Sequence, residues 1–109
     1  MVTGTDLLAA IKRRTLRPVQ AFGAEFYVRG LSGPERVLLI ARQKDGDPMG
    51  PAEIVGLAAC DEAMTPLFTA EQVAELKEAG FDKELERVAE AVLEASGLTE
   101  AAREAAAKN

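Results

Sequence analysis

The chain has 109 residues, enough for one domain and one modest core, and its hydrophobic (48%) and charged (28%) content is ordinary for a soluble globular protein. It contains no His and a single Cys, which excludes His-based metal sites, Ser–His and Cys–His nucleophilic pairs and any internal disulfide, so neither catalysis nor a cofactor is expected. The net charge of −5 opposes bulk attraction to nucleic acid or anionic lipid, yet it is unevenly spread: residues 1–44 hold 8 Lys/Arg and 3 Asp/Glu (net +5), residues 45–109 hold 5 and 15 (net −10).

In chain order, Thr5 and Asp6 predict the start of a short helix through Arg14, with Leu7, Leu8 and Ile11 on one face. Pro18 ends that pattern. Val19–Phe22, Gly23 and Ala24–Arg29 then read as a β-hairpin whose second strand alternates Phe26 and Val28 with Glu25, Tyr27 and Arg29. Two strands are marginal alone and must pack on helices. Ser32-Gly-Pro-Glu35 is a capping box with Pro34 in the first turn, predicting a helix over 33–42 whose Val37, Leu38, Ile40 and Ala41 make a wide apolar face. Lys44–Pro51 is the clearest loop, a candidate hinge where the charge changes sign.

Pro51 opens a third helix, expected over 52–62 and central because Ile54, Val55, Leu57, Ala58 and Cys60 leave it apolar nearly all round. Thr65–Phe68 reads as extended. Thr69-Ala-Glu-Gln72 is a second capping box, for a helix over 70–79 stopped by Gly80. Asp82 caps a helix over 83–95, where Leu85, Val88, Ala89, Val92 and Leu93 form a core-facing stripe, and Gly97 ends it. Thr99 starts a last Ala-rich helix, near 100–107. The expected fold is therefore a single domain, mainly α with a small N-terminal β-hairpin near 18–29: a bundle of about four to six short helices. No apolar run is long enough to span a bilayer, and Asp6, Lys12 and Arg13 interrupt any secretion signal, so a cytoplasmic protein is expected.

Cys60 reads as a buried packing residue, since Asp61 and Glu62 beside it disfavour a thiolate. Asp61 and Glu62, being adjacent, point different ways on a helix and suit a helix end or turn better than a metal site. Leu67 and Phe68 dock either into their own core or onto a partner chain, and the apolar face at Val37–Ile40 has the same two readings. Lys12, Arg13, Arg14 and Arg17 form a basic cluster without aromatic interleaving or a recognition motif, which favours a solvated or self-association surface over nucleic acid. A basic end meeting the acidic face of another copy would build a ring or spiral and weaken with salt. Gly30, Gly33, Gly46 and Gly50 form no phosphate loop.

Three stretches in fixed order resemble the tail assembly chaperones of long-tailed (siphophage-type) bacteriophages. Phe22-Gly-Ala-Glu-Phe-Tyr-Val-Arg29 with Leu31-Ser-Gly-Pro-Glu-Arg36 looks like the family's aromatic-Gly hairpin and its "Leu-Thr/Ser-Gly-x-Glu-Arg" helix start, carried here by Phe22, Gly23, Arg29, Gly33, Glu35 and Arg36. Ala59-Cys-Asp-Glu-Ala-Met-Thr-Pro-Leu-Phe-Thr69 is similar to "Cys-Asp-Glu-x-Gly-x-Pro-Leu-Phe-Thr", carried by Cys60, Asp61, Glu62, Pro66, Leu67 and Phe68, and is the most distinctive of the three. The acidic helix pair around Ser96-Gly-Leu98, ending in Lys108-Asn109, is the third. Together they span residues 16–109. The family often has Trp at Phe22, and Gly in the turn at Ala63-Met64; a glycine there is free to take a positive φ that Ala or Met resists.

The resemblance implies a chaperone that coats the long, helical, aggregation-prone tape-measure protein, as a spiral of copies, and leaves before or during tube assembly. It also implies a frameshifted longer form, and Ala107-Lys108-Asn109 is compatible with GCA-AAA-AAC, which contains a slippery heptamer. The alternatives from other classes are a small regulatory or nucleic-acid-associated factor using the basic first third, and a structural component of the tail.

Overall fold

The computed structural model describes residues 1–80 and 82–98. The elements are α1 (Gly4–Arg13), β1 (Arg17–Ala21), β2 (Ala24–Val28), α2 (Gly33–Lys44), α3 (Pro51–Ala58), β3 (Ala59–Cys60), α4 (Ala70–Glu78) and α5 (Lys83–Ala95). The mainly helical class with a small sheet near the N-terminus is the expected one. The helix expected near 100–107 lies outside the described residues.

Local chemistry sets most of these boundaries. α1 begins at a capping box one step earlier than expected: the Thr3 hydroxyl accepts from the Asp6 amide, and the Asp6 carboxylate accepts from the Thr3 amide. α2 and α4 begin at the boxes Ser32–Glu35 and Thr69–Gln72. The Asp82 carboxylate accepts from the Leu85 amide to start α5. Gly80 and Gly97 take the left-handed conformations (φ 86° and 74°) that let the chain leave α4 and α5.

The hairpin runs in the register Val19↔Phe26 and Ala21↔Ala24, closed by a two-residue turn in which both Phe22 (φ 56°) and Gly23 (φ 73°) are left-handed. Phe22, expected in the first strand, is instead the first turn residue. Its ring stacks on that of Phe26, with centroids 6.3 Å apart and planes 12° from parallel.

The third helix is shorter than expected. It stops at Ala58, and Ala59–Cys60 form a third, edge strand antiparallel to β2, pairing Val28↔Ala59 and Tyr27↔Cys60. A short apolar run such as Leu57–Cys60 suits a buried helix and a buried strand equally well. Here the free edge of β2 decides, because its buried backbone groups need partners.

One core lies between α3, α5 and the sheet. Val28, Val55, Val88 and Val92 are completely buried, and all five residues of the α5 stripe are buried. α4 covers α3 at close range. A Cβ on Gly56 would lie 2.6 Å from a γ-carbon of Val73, so the absent side chain is what allows the two helices to approach. At the other end of the core, a Cβ on Gly30 would lie 2.9 Å from the Ala95 carbonyl oxygen and 3.0 Å from Thr15 Cβ. Gly30 is therefore where the start of the hairpin, the end of β2 and the end of α5 converge.

Candidate functional site

The residues that carry the resemblance do different jobs, and several are structural. Arg29, leaving β2, makes a two-pronged ion pair with Glu35 at the start of α2 (2.8 and 3.0 Å). The same guanidinium donates to the carbonyls of Gly30 and Leu57, both at 2.9 Å, while Glu35 also accepts from the Ser32 amide at 2.8 Å. Sheet, α2 and α3 are tied together at this one point. Hydrogen bonds from Arg29 hold the Glu35 carboxyl below the usual carboxylate range, against the opposing effect of burial. Gly33 is the first residue of α2 and Arg36 is exposed.

Asp61 organises a tight loop, the turn-forming role expected of it. Its Oδ1 accepts from the amides of Ala63 and Thr65, both at 2.9 Å, and its backbone pairs with that of Thr65. The loop returns the chain so that Pro66 bridges to Cys60 and the Leu67 amide reaches the Ala59 carbonyl. Met64 occupies a left-handed position (φ 68°), the conformation for which a glycine is suited. Cys60 is buried, and burial pushes its thiol up, partly offset by Arg29 and reinforced by Asp61. Phe68 packs against the core while Leu67 is exposed, so of the two apolar residues after Pro66 one docks into its own core and the other does not. Glu62 and Pro66 are exposed.

The unusual feature is the outward aim of apolar side chains on α1 and α2. Leu7, Leu8 and Ile11 of α1, and Val37, Leu38 and Ile40 of α2, are 46–69% exposed. No residue of α1 is buried at all. In α2 only Leu39 is buried. The wide apolar face expected of α2 therefore looks into solvent, because polar contacts hold the other side. Glu35, Leu39 and Arg42 recur at helical spacing on the inward side, and Glu35 binds Arg29. Arg42 clasps Glu53 of α3 through both oxygens and donates to the Asp47 carbonyl (3.0 Å), closing the mouth of the 45–50 loop. Arg42 also holds the Glu53 carboxyl below the usual range, with a smaller contribution from Lys77 3.7 Å away.

Between the end of α1 and the start of α2 lies a mostly apolar groove of about 470 Å³, lined by residues that include Ile11, Lys12, Leu31 and Met64. Among the described residues its charged lining is Lys12 and Arg29, and Arg29 is already paired with Glu35. All of Lys12, Arg13, Arg14 and Arg17 are exposed, and among the described residues no carboxylate lies within salt-bridge distance of them. Arg17 has a local role: its guanidinium donates to the Arg14 carbonyl (2.6 Å) and the Leu16 carbonyl (3.2 Å) beyond the end of α1. On the acidic side, Glu86, Glu90 and Glu94 recur every four residues along the exposed face of α5.

Sequence reasoning identified the apolar stripes of α1 and α2 but not that the fold leaves both uncovered. Nor did it single out Lys12 and Met64 as parts of one groove. Comparison with known protein families, with curated proteins and with solved structures finds no match for this chain. No helix among the described residues is long and apolar enough to cross a membrane.

Proposed function

We propose that this chain is a tail assembly chaperone of a long-tailed bacteriophage, which binds the tape-measure protein in the bacterial host cytoplasm and keeps it soluble until the tail tube forms around it. One observation carries the reading: two helices of a small domain leave six large aliphatic side chains in solvent although a well-filled core lies beside them. Exposed apolar stripes of this kind mark binding faces. An amphipathic client helix laid against such a face buries its own apolar stripe, the helix-in-groove mode of recognition. The ordered motifs from Phe22 to Phe68 add the family likeness. Several copies would line up along a long client, the basic end of one against the acidic helices of the next, and a frameshifted longer form would share this domain.

Co-expression with the tape-measure protein tests the proposal. The client is expected in the soluble fraction only when this chain is present, and the two should co-purify. Insoluble client with both the short form and any longer form would refute it. Mass spectrometry of purified virions separates a chaperone, absent from the particle, from a structural tail component. The exposed, carboxylate-free setting of Lys12, Arg13 and Arg14 keeps nucleic acid as a second reading; binding of duplex or single-stranded DNA at low salt by the isolated chain would favour it.

A further inference from the structure

We infer that the exposed apolar stripe of α1, with the groove at its C-terminal end, is built for a helix whose own apolar stripe is flanked by acidic residues, and that this helix belongs to a different protein, not to the described helices of a second copy. This inference rests on the proposed role as a binding module and specifies the chemistry of what is bound.

The flanks of α1 give the charge. Lys12 and Arg14 follow Ile11 by one and three residues. At roughly 100° per residue they fall on either side of the Leu7–Leu8–Ile11 stripe, whereas Arg13 falls opposite it. Lys12 also lines the groove. Around α2 the free charges are mixed: Glu35 is used by Arg29, leaving Arg36 exposed, while Lys44 and the C-cap Asp45 are both exposed at the far end, so the cationic margin is that of α1. An apolar ligand entering here meets unpaired cations at the margins. Carboxylates on the ligand complement them, and cations on it are repelled.

The same accounting argues against a second copy as the occupant. An acid-flanked apolar helix is what the surface requires, and no helix among the described residues presents one. α1 and α2 expose apolar stripes, but their free charges are mainly basic. α4 and α5 have the carboxylates, yet Val73 and Leu76 of α4 are half-buried and the whole stripe of α5 is in the core. Among the described residues, what one copy offers another is thus charge on charge, and the aliphatic residues of α1 are left for another chain.

Three synthetic helical peptides test this. They share one Leu stripe and differ only in its flanking residues, which are Glu, Lys or Gln. Binding to the full-length chain is followed by fluorescence anisotropy at low salt. The Glu-flanked peptide is expected to bind roughly five- to thirty-fold more tightly than the Gln-flanked one, the effect of two partly exposed ion pairs, and the Lys-flanked peptide more weakly than either. The advantage should shrink in high salt. In a Lys12→Glu/Arg14→Glu variant the order of the Glu- and Lys-flanked peptides should reverse. Arg13→Glu puts a similar charge near the helix end on the opposite side, so it should leave the order intact. Equal affinity for all three peptides overturns the acid preference while leaving a chaperone reading in place. Absence of binding by any peptide overturns the inference, and the chaperone reading falls with it only if the tape-measure protein also fails to co-purify. Dimerisation of the parent chain that is abolished by Ile11→Gln, measured by sedimentation, would overturn the claim that the stripe serves another protein.

Discussion

Met64 shows how a single backbone torsion can oppose a side chain. With φ at 68° it sits in the left-handed region, where an unbranched L-residue is disfavoured by about 1 kcal/mol. The Asp61 hydrogen bonds to Ala63 and Thr65 enforce the turn that puts it there. Met64→Gly should therefore raise stability by roughly 0.5–1 kcal/mol in urea denaturation, part of the relief being offset by lost packing of a half-buried side chain. Arg29 is the opposite case, a side chain whose removal strands several partners. Arg29→Ala leaves Glu35 and the Leu57 carbonyl without their donor and should cost about 2 kcal/mol. The same pair sets the acid response. Because the folded-state pKa values of Glu35 and Glu53 are depressed, their contribution is present above the ordinary carboxylate range and lost as pH falls below it. Stability measured across that interval should drop on acidification, and less steeply for Glu35→Gln.

At the scale of elements, α5 was fully legible in the sequence and α2 only half so. Every apolar residue of the α5 stripe points the same way, and Asp82 and Gly97 mark its ends. In α2 the pattern correctly gives a helix with an apolar face, but periodicity does not say whether the body of the protein covers that face. Leu39 and the pairs Arg29–Glu35 and Arg42–Glu53 settle its orientation, and the latter bridges eleven residues and a loop. Ala59–Cys60 escaped for a related reason, since their pairing depends on a strand thirty residues earlier. The motif segment 60–68 was readable as a turn through Asp61, but the division of Leu67 from Phe68 is decided by packing.

The contact between α3 and α4 makes a separate prediction. Gly56→Ala should destabilise by about 1–2 kcal/mol, because a β-branched Val73 has few rotamers with which to yield, and Gly56→Ala/Val73→Ala should recover most of the loss. α1 behaves differently. With no buried residue, a chain lacking residues 1–13 should unfold with nearly the parent midpoint while losing client binding. A large loss of stability in that truncation would mean that α1 belongs to the body and not to the binding face.

Across the whole molecule, charge and apolar exposure are partitioned together. The basic part of the chain holds both uncovered helices, and the acidic part supplies most of the closed core. A protein that used all of its aliphatic residues for its own stability would not leave α1 and α2 in this state, because burying each such side chain is worth roughly 1.5–3 kcal/mol. The measurement that tests this account most directly is tape-measure solubility in cells co-expressing either the parent chain or a Leu7→Gln/Ile11→Gln/Val37→Gln variant. These positions are exposed, so the variant should fold as the parent does by circular dichroism and thermal unfolding. The account predicts soluble client with the parent and aggregated client with the folded variant. Equal rescue by both would contradict it, because the client would then be held by some other surface.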